Sequence, residues 1–289
     1  MPVEHYENFP VASLLCPAAL RPAIEAIYAF ARTADDIADE GDASPSERLA
    51  ALAAYRAGLA ETAAGRPASA WPGVFVPLGA AITRHRLPVE LLDALLDAFI
   101  QDVTVSRYTD RPALLDYCRR SANPVGRLLL HLYGVDDACA LARSDAICSA
   151  LQLINFWQDL SVDLPRGRYY LPAADIASHG LAAEDFRRFR PLAPTAPLPS
   201  AIALVAAQVT WARELMNEGA PLVHRLPGRA GWELRFVVQG GLRILDKIEA
   251  LGFDTWSKRP TIDKADAPLL AWRALRMRRQ SPAMTSFPR

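Results

Sequence analysis

Residues 152–170, reading QLINFWQDLSVDLPRGRYY, constrain this chain more than any other stretch. Gln152, Asn155, Asp159 and Asp163 recur at steps of three, four and four residues. On an α-helix those steps align the side chains on one face. Two amides and two carboxylates in one stripe make a poor core contact. They suit a divalent cation holding a phosphate, because Mg²⁺ takes one or two carboxylates and fills its other positions with water and substrate oxygens. The RGR that follows sets fixed positive charge beside the stripe, where a diphosphate would lie. A solvated helix face is the competing account of a single such pair. A second pair elsewhere decides between them.

That second pair lies in ADDIADE, residues 34–40. Asp35 and Asp39 are i,i+4 neighbours, as are Asp36 and Glu40. Arg32, one turn earlier, and the apolar pattern before it favour the Asp35/Asp39 register. Both acidic clusters fall near the ends of their expected helices, where carboxylates oppose the helix dipole by roughly 0.3–1 kcal/mol each. Fold stability alone does not select that placement. A bound cation would offset it.

Helical periodicity runs through the rest of the chain, and convincing strand alternation is absent. A helix is expected over 17–40, with Leu20, Ile24, Ile27, Tyr28 and Ala31 on its apolar face. Ser44-Pro45-Ser46-Glu47 is a capping box that opens a helix to about residue 64. Further helices are expected over 73–86, 89–106, 113–122 and 125–133. The Asn123-Pro124 break between the last two should kink the chain and free a carbonyl. A long helix over 136–162 carries the second acidic stripe, and a loop over 164–172 leads to short helices. The segment 191–199 (PLAPTAPLP) reads as an extended connector, before long helices over 200–225 and 230–250. No internal repeat is visible, and residues 1–289 are long enough for one large domain or two small ones, with the end from about 265 expected to be peripheral.

With 289 residues, 51% of them hydrophobic, the chain can bury a sizeable core. Its 32 basic residues match 32 acidic ones, which removes the electrostatic case for nucleic acid as a partner. Cys16, Cys118, Cys139 and Cys148 form no CxxC pair or zinc spacing and read as reduced thiols of a cytoplasmic protein. No basic-then-apolar leader is apparent, and no apolar run reaches eighteen residues. The basic end WRALRMRRQ reads as a solvated terminus, with peripheral contact to an anionic membrane surface as the alternative. The five histidines make no HExxH and no serine sits in GxSxG. Trp157, Trp211 and Trp232 read as core packing.

ADDIADE after AIYAFAR, and LQLINFWQDLSVDLPRGRYYLP, resemble the two aspartate-rich motifs of the squalene/phytoene synthases, the head-to-head prenyl synthases. The resemblance runs from about residue 5 to 259. It implies a single all-α bundle with a central cavity, whose two acidic helices face each other across the mouth. It assigns Asp35, Asp39, Asp159 and Asp163 as Mg²⁺ ligands, with Gln152 and Asn155 as amides lining that site. Arg32, Arg168 and Arg259 match basic residues that hold diphosphate, and Tyr117 matches an aromatic cavity position. Gly126 corresponds to a small residue that lets two helices approach around the isoprenoid chain.

The departures from the family pattern are informative. YCRRSANPVG stands where phytoene synthases have YCYxVAGTVG, Gln158 stands where an arginine is frequent, and Glu7 where a lysine is frequent. HYENFPVAS, ANPVG and NFWQD resemble most closely the hydroxysqualene synthase branch of bacterial hopanoid pathways. That branch ionises presqualene diphosphate and quenches the rearranged cation with water. The resemblance implies Mg²⁺, no NADPH, a companion presqualene diphosphate synthase and a flavin oxidoreductase. Neither GxGxxG nor GxxxxGK[ST] occurs, though a helical synthase can hold a nicotinamide without either. Asn123 is read either as holder of the quenching water or as the cap of the helix at Pro124. A squalene, dehydrosqualene or phytoene synthase is the alternative within the same chemistry. A scaffold protein that has lost catalysis is the alternative from another class.

Overall fold

A computed structural model describes residues 16–66, 68, 70–182, 185 and 198–277. Glu7, His5, most of the 191–199 connector and the end of the chain from Arg278 lie outside the described residues. No strand occurs among the described residues; the one bridge pairs Arg107 with Tyr169. The all-α expectation holds.

Helix α1 (Arg21–Asp39) starts four residues later than the periodicity suggested, with Pro22 in its first turn. Proline is tolerated there because the first amides of a helix have no intrahelical partner. Helix α2 (Pro45–Ala63) opens on the capping box: Glu47 N–H donates to Ser44 Oγ and Ser44 N–H to Glu47 Oε2. Helices α3 (Pro72–His85) and α4 (Val89–Thr104) complete a first cluster of buried side chains. At its centre Phe30 stacks on Tyr55 at 5.2 Å, and Tyr55 OH donates to the Phe30 carbonyl at 3.1 Å.

Helix α5 (Arg111–Ser121) ends where the Asn-Pro break was expected, and α6 (Asn123–Leu132) begins a new axis. Helix α7 (Ala138–Gln158) is capped by Asp137, whose carboxylate accepts from Ala140 N–H at 3.0 Å. It carries Leu153, Ile154 and Trp157 into the second buried cluster. There it packs against α10 (Pro199–Gly219) and α11 (Gly228–Ala250). A short helix, α12 (Ala267–Arg276), lies against α11.

Two expectations need correction. The helix over 136–162 is not continuous: it bends at Asp159 (φ −102°, ψ 17°) and resumes as α8 (Leu160–Asp163). Asp163 N–H still donates to the Asp159 carbonyl at 2.9 Å, so the four-residue step survives the bend. Pro165 cannot donate to a helix ladder, and the chain tightens into a 3-10 turn over Leu164–Arg166 before Gly167 reverses it at φ +78°. A short helix, α9 (Ala173–Ser178), follows. Trp232 is not a core residue: it is 41% exposed, whereas Trp157 and Trp211 are buried as expected.

Candidate active site

A cavity of about 370 Å³ lies between α1, α6, α7 and α11. Its α1 wall is Ile24, Ile27, Tyr28 and Ala31, and its α7 wall is Ser144, Ile147, Cys148 and Leu151. Both walls follow the three-and-four step of one helix face. The same step carries α1 on to Asp35 and Asp39, and α7 on to Asn155 and Asp159. The apolar stripes thus run into the acidic motifs. A shallower depression of about 510 Å³ between α2 and α3 lies away from both.

Arginines pair with acidic side chains of both motifs. Arg168, in the turn after the second motif, pairs with Asp39 of the first. Arg259 pairs with Asp159 through both carboxylate oxygens. Arg32 spans Asp35 at 3.1 Å, Asp36 at 2.5 Å and Glu40 at 2.9 Å. Burial raises the Asp35 carboxyl above its ordinary value, with Arg32 and Arg168 opposing and Asp39 and Asp36 adding to the shift; Arg32 pairs with Asp35 and Asp36 alike. Burial, with the charge of Asp159 adding, pushes Asp163 up to about 7 against the opposing pull of Arg168 and Arg166.

Gln158 is fully buried, and its Nε2 donates to the Pro260 carbonyl at 2.7 Å. It ties the segment bearing Arg259 to the end of α7. Its neutral side chain is therefore a packing feature, and no longer argues about how many diphosphates the mouth holds. Gln152 is half-buried and Asn155 exposed on the same face of α7 as Asp159.

Sequence reasoning missed Asp102, on α4. Burial raises it to about 7 against the hydrogen bond donated by Tyr117 OH at 3.0 Å, and it lies within electrostatic reach of Arg168, Asp35 and Asp39. A lone aspartate in IQDVTV carries no signal. Tyr117 is buried and belongs to a ring cluster with Tyr108, Phe156 and Tyr170, the last two stacked at 3.6 Å. Tyr117 is not among the cavity-lining residues.

Asn123 does not cap α6. It sits inside the helix, buried, with Ser149 Oγ donating to its Oδ1 at 3.0 Å across the α6–α7 contact. It lies outside the cavity lining. Gly126 lines the cavity at the closest approach of α6 and α7: a Cβ there would meet Ser144 Oγ at 2.4 Å and Cys148 Sγ at 2.5 Å.

Among the described residues no three His, Cys, Asp or Glu side chains converge on one point. The carboxylates come as two pairs on two helix ends. Burial is the main cause of the raised proton affinity at Asp35, Asp102 and Asp163, with neighbouring carboxylates adding to it and Arg168 opposing it. An all-oxygen set of carboxylate and amide donors fits a hard divalent cation that keeps room for phosphate oxygens.

An all-α helix bundle around an apolar cavity, with two acidic helix ends continuing two of its walls, defines the class of protein. The family model for squalene/phytoene synthase matches residues 3–266, and the chain belongs to that family. It is 40% identical over 191 residues to the hydroxysqualene synthase of Zymomonas mobilis, a match spanning 65% of this chain and 62% of that protein. It is 32% identical over 285 residues to the phytoene synthase of Thermus thermophilus, covering 98% of this chain and 93% of the other. The crystal structure of squalene synthase HpnC from Alicyclobacillus acidocaldarius superposes with a TM-score of 0.77 at 37% identity, covering 86% of this chain and 90% of that one.

Proposed function

We propose that the protein ionises presqualene diphosphate and quenches the rearranged cation with water, giving hydroxysqualene and diphosphate. The observation that carries this reading is an apolar cavity whose two main walls run into two acidic helix ends joined by Arg168 and Asp39. In this reading Asp35, Asp39, Asp159 and Asp163, with Asn155, hold Mg²⁺, which when bound neutralises charge developing on the leaving group. Arg32, Arg168 and Arg259 exchange their carboxylate partners for diphosphate oxygens, with Gln152 beside them. Such preorganised charge usually gives the largest share of a barrier reduction.

The remaining residues handle the cation. The cavity walls exclude bulk water, and the lining tyrosines Tyr28 and Tyr133 offer π-faces to positive charge, while Tyr117 acts through its hydrogen bond to Asp102. Gly126 keeps α6 against α7 and so sets the cavity width there. Asn123, its Oδ1 engaged by Ser149, positions the quenching water through its amide nitrogen. A water quench uses no NADPH. The substrate would come from a companion synthase that couples two farnesyl diphosphates, and the product would pass to a flavin oxidoreductase. We place the protein in the cytoplasm, with residues 1–289 acting as one domain.

The near full-length similarity to a phytoene synthase favours a second reading, the coupling of two prenyl diphosphates. The test is incubation of purified protein and Mg²⁺, without NADPH, with presqualene diphosphate or with farnesyl diphosphate alone. The proposal expects turnover of the first and little of the second. Efficient coupling of farnesyl diphosphate would establish the second reading instead.

A further inference from the structure

Helices α11 and α12 turn apolar side chains outward. On α12 the exposed residues Pro268, Trp272, Leu275 and Arg276 fall at steps of four, three and one, so one outer face is mostly apolar. Trp272 is 50% exposed and Leu275 67%. On α11 Arg229, Trp232 and Phe236 form a second outer stripe. Among the described residues, the exposed large aromatics are Trp232, Phe236 and Trp272, all on these two helices. Their stripes are held together: Arg235, between Trp232 and Phe236, donates to the carbonyls of Ala274 and Met277, both at 2.9 Å.

Each tryptophan carries a cation. The Arg235 guanidinium lies 4.7 Å from the Trp232 ring centroid, and that of Arg276 lies 4.3 Å from Trp272. Exposed indoles beside arginines match an interface where apolar tails end and anionic headgroups begin. The sequence of α12, APLLAWRALR, contains no acidic residue. The opposite face of the same stretch of α11 lines the cavity through Glu233, Leu234 and Val237. Val125, another lining residue, is itself 37% exposed.

We propose that this face seats the protein on an anionic lipid bilayer, with Trp232, Phe236, Trp272 and Leu275 entering the headgroup boundary and Arg229 and Arg276 meeting lipid phosphates. The proposal draws on the hydrocarbon occupant proposed for the cavity, but its test needs no turnover, so the two can fail separately.

The test is sedimentation of the full chain with vesicles of phosphatidylcholine, pure or one-quarter phosphatidylglycerol. The full chain should partition onto the phosphatidylglycerol vesicles and much less onto the pure ones. Trp232→Ser with Phe236→Ser, and separately Trp272→Ser with Leu275→Ser, should each weaken binding on the order of tenfold or more. Circular dichroism and melting should show both variants folded. Absence of vesicle binding by the full chain overturns the proposal. So does binding indifferent to phosphatidylglycerol, or binding that both variants keep. Light scattering that shows a dimer dispersed by these substitutions, without vesicle binding, assigns the face to a second copy and overturns it as well.

Discussion

Arg168 and Asp39, 129 residues apart in the chain, form an ion pair that joins the two acidic motifs. Both side chains are about one-third exposed or less, at 28% and 33%. A pair so placed adds only about 0–1 kcal/mol to stability. Its importance lies in what else the guanidinium can hold.

Arg168→Gln should therefore melt within a few degrees of the parent while losing turnover by roughly 10²–10³-fold. Asp35→Asn and Asp159→Asn should lose turnover at least as severely, since each removes a charge from the proposed cation site. Steady-state kinetics at saturating Mg²⁺ checks all three. Near-parental rates would remove these residues from the mechanism.

Asp102 gives a stability signature with a definite sign. Its folded pKa of about 7 exceeds the ordinary carboxylate value near 4. The folded protein thus keeps a proton that the unfolded chain has lost between those values, and stability falls as pH rises through that window. Asp102→Asn can still accept from Tyr117 without carrying a charge. In EDTA it should melt higher than the parent at pH 8 and equal to it at pH 4. A melting difference that does not change with pH would contradict the burial of this carboxylate.

Gly126 tests how closely α6 and α7 must approach. Gly126→Ala should destabilise by about 1–3 kcal/mol, because the new methyl overlaps Ser144 Oγ and Cys148 Sγ. Adding Ser144→Ala and Cys148→Ala should recover much of that loss. Denaturant unfolding of the single, double and triple variants measures it. Additive losses would place the strain elsewhere.

Much of this architecture was legible in the sequence for local reasons. The Ser44–Glu47 capping box, the Asn123-Pro124 break and the two acidic spacings each depend on residues within a turn or two of one another. The features that escaped depend on distant partners. Gln158 looked like a missing positive charge, yet Pro260, 102 residues away, takes its amide into the core. Asp102 became part of the site only when folding brought α4 beside Tyr117 and the first motif. Asn123 before Pro124 carries the usual sequence mark of a helix cap, and Ser149 on another helix claims its oxygen instead. Trp232 and Trp272 show the same limit from the opposite side, since no local pattern distinguishes an outward tryptophan from a core one.

Asn123 also bears on the product. Asn123→Ala leaves the buried Ser149 hydroxyl without its acceptor, at a cost of about 1–3 kcal/mol. On presqualene diphosphate it should shift product from hydroxysqualene toward deprotonated hydrocarbons. Asn123→Asp keeps an acceptor for Ser149 and controls for packing. An unchanged hydroxysqualene fraction in the alanine variant would exclude Asn123 from the quench.

The most direct test of the central claim follows the oxygen. Purified protein is given presqualene diphosphate and Mg²⁺ in oxygen-18 water, without NADPH, and the neutral product is read by mass spectrometry. The account predicts hydroxysqualene carrying the heavy oxygen, formed in step with released diphosphate and abolished by EDTA. A product without that oxygen, or no product until NADPH is added, would contradict it.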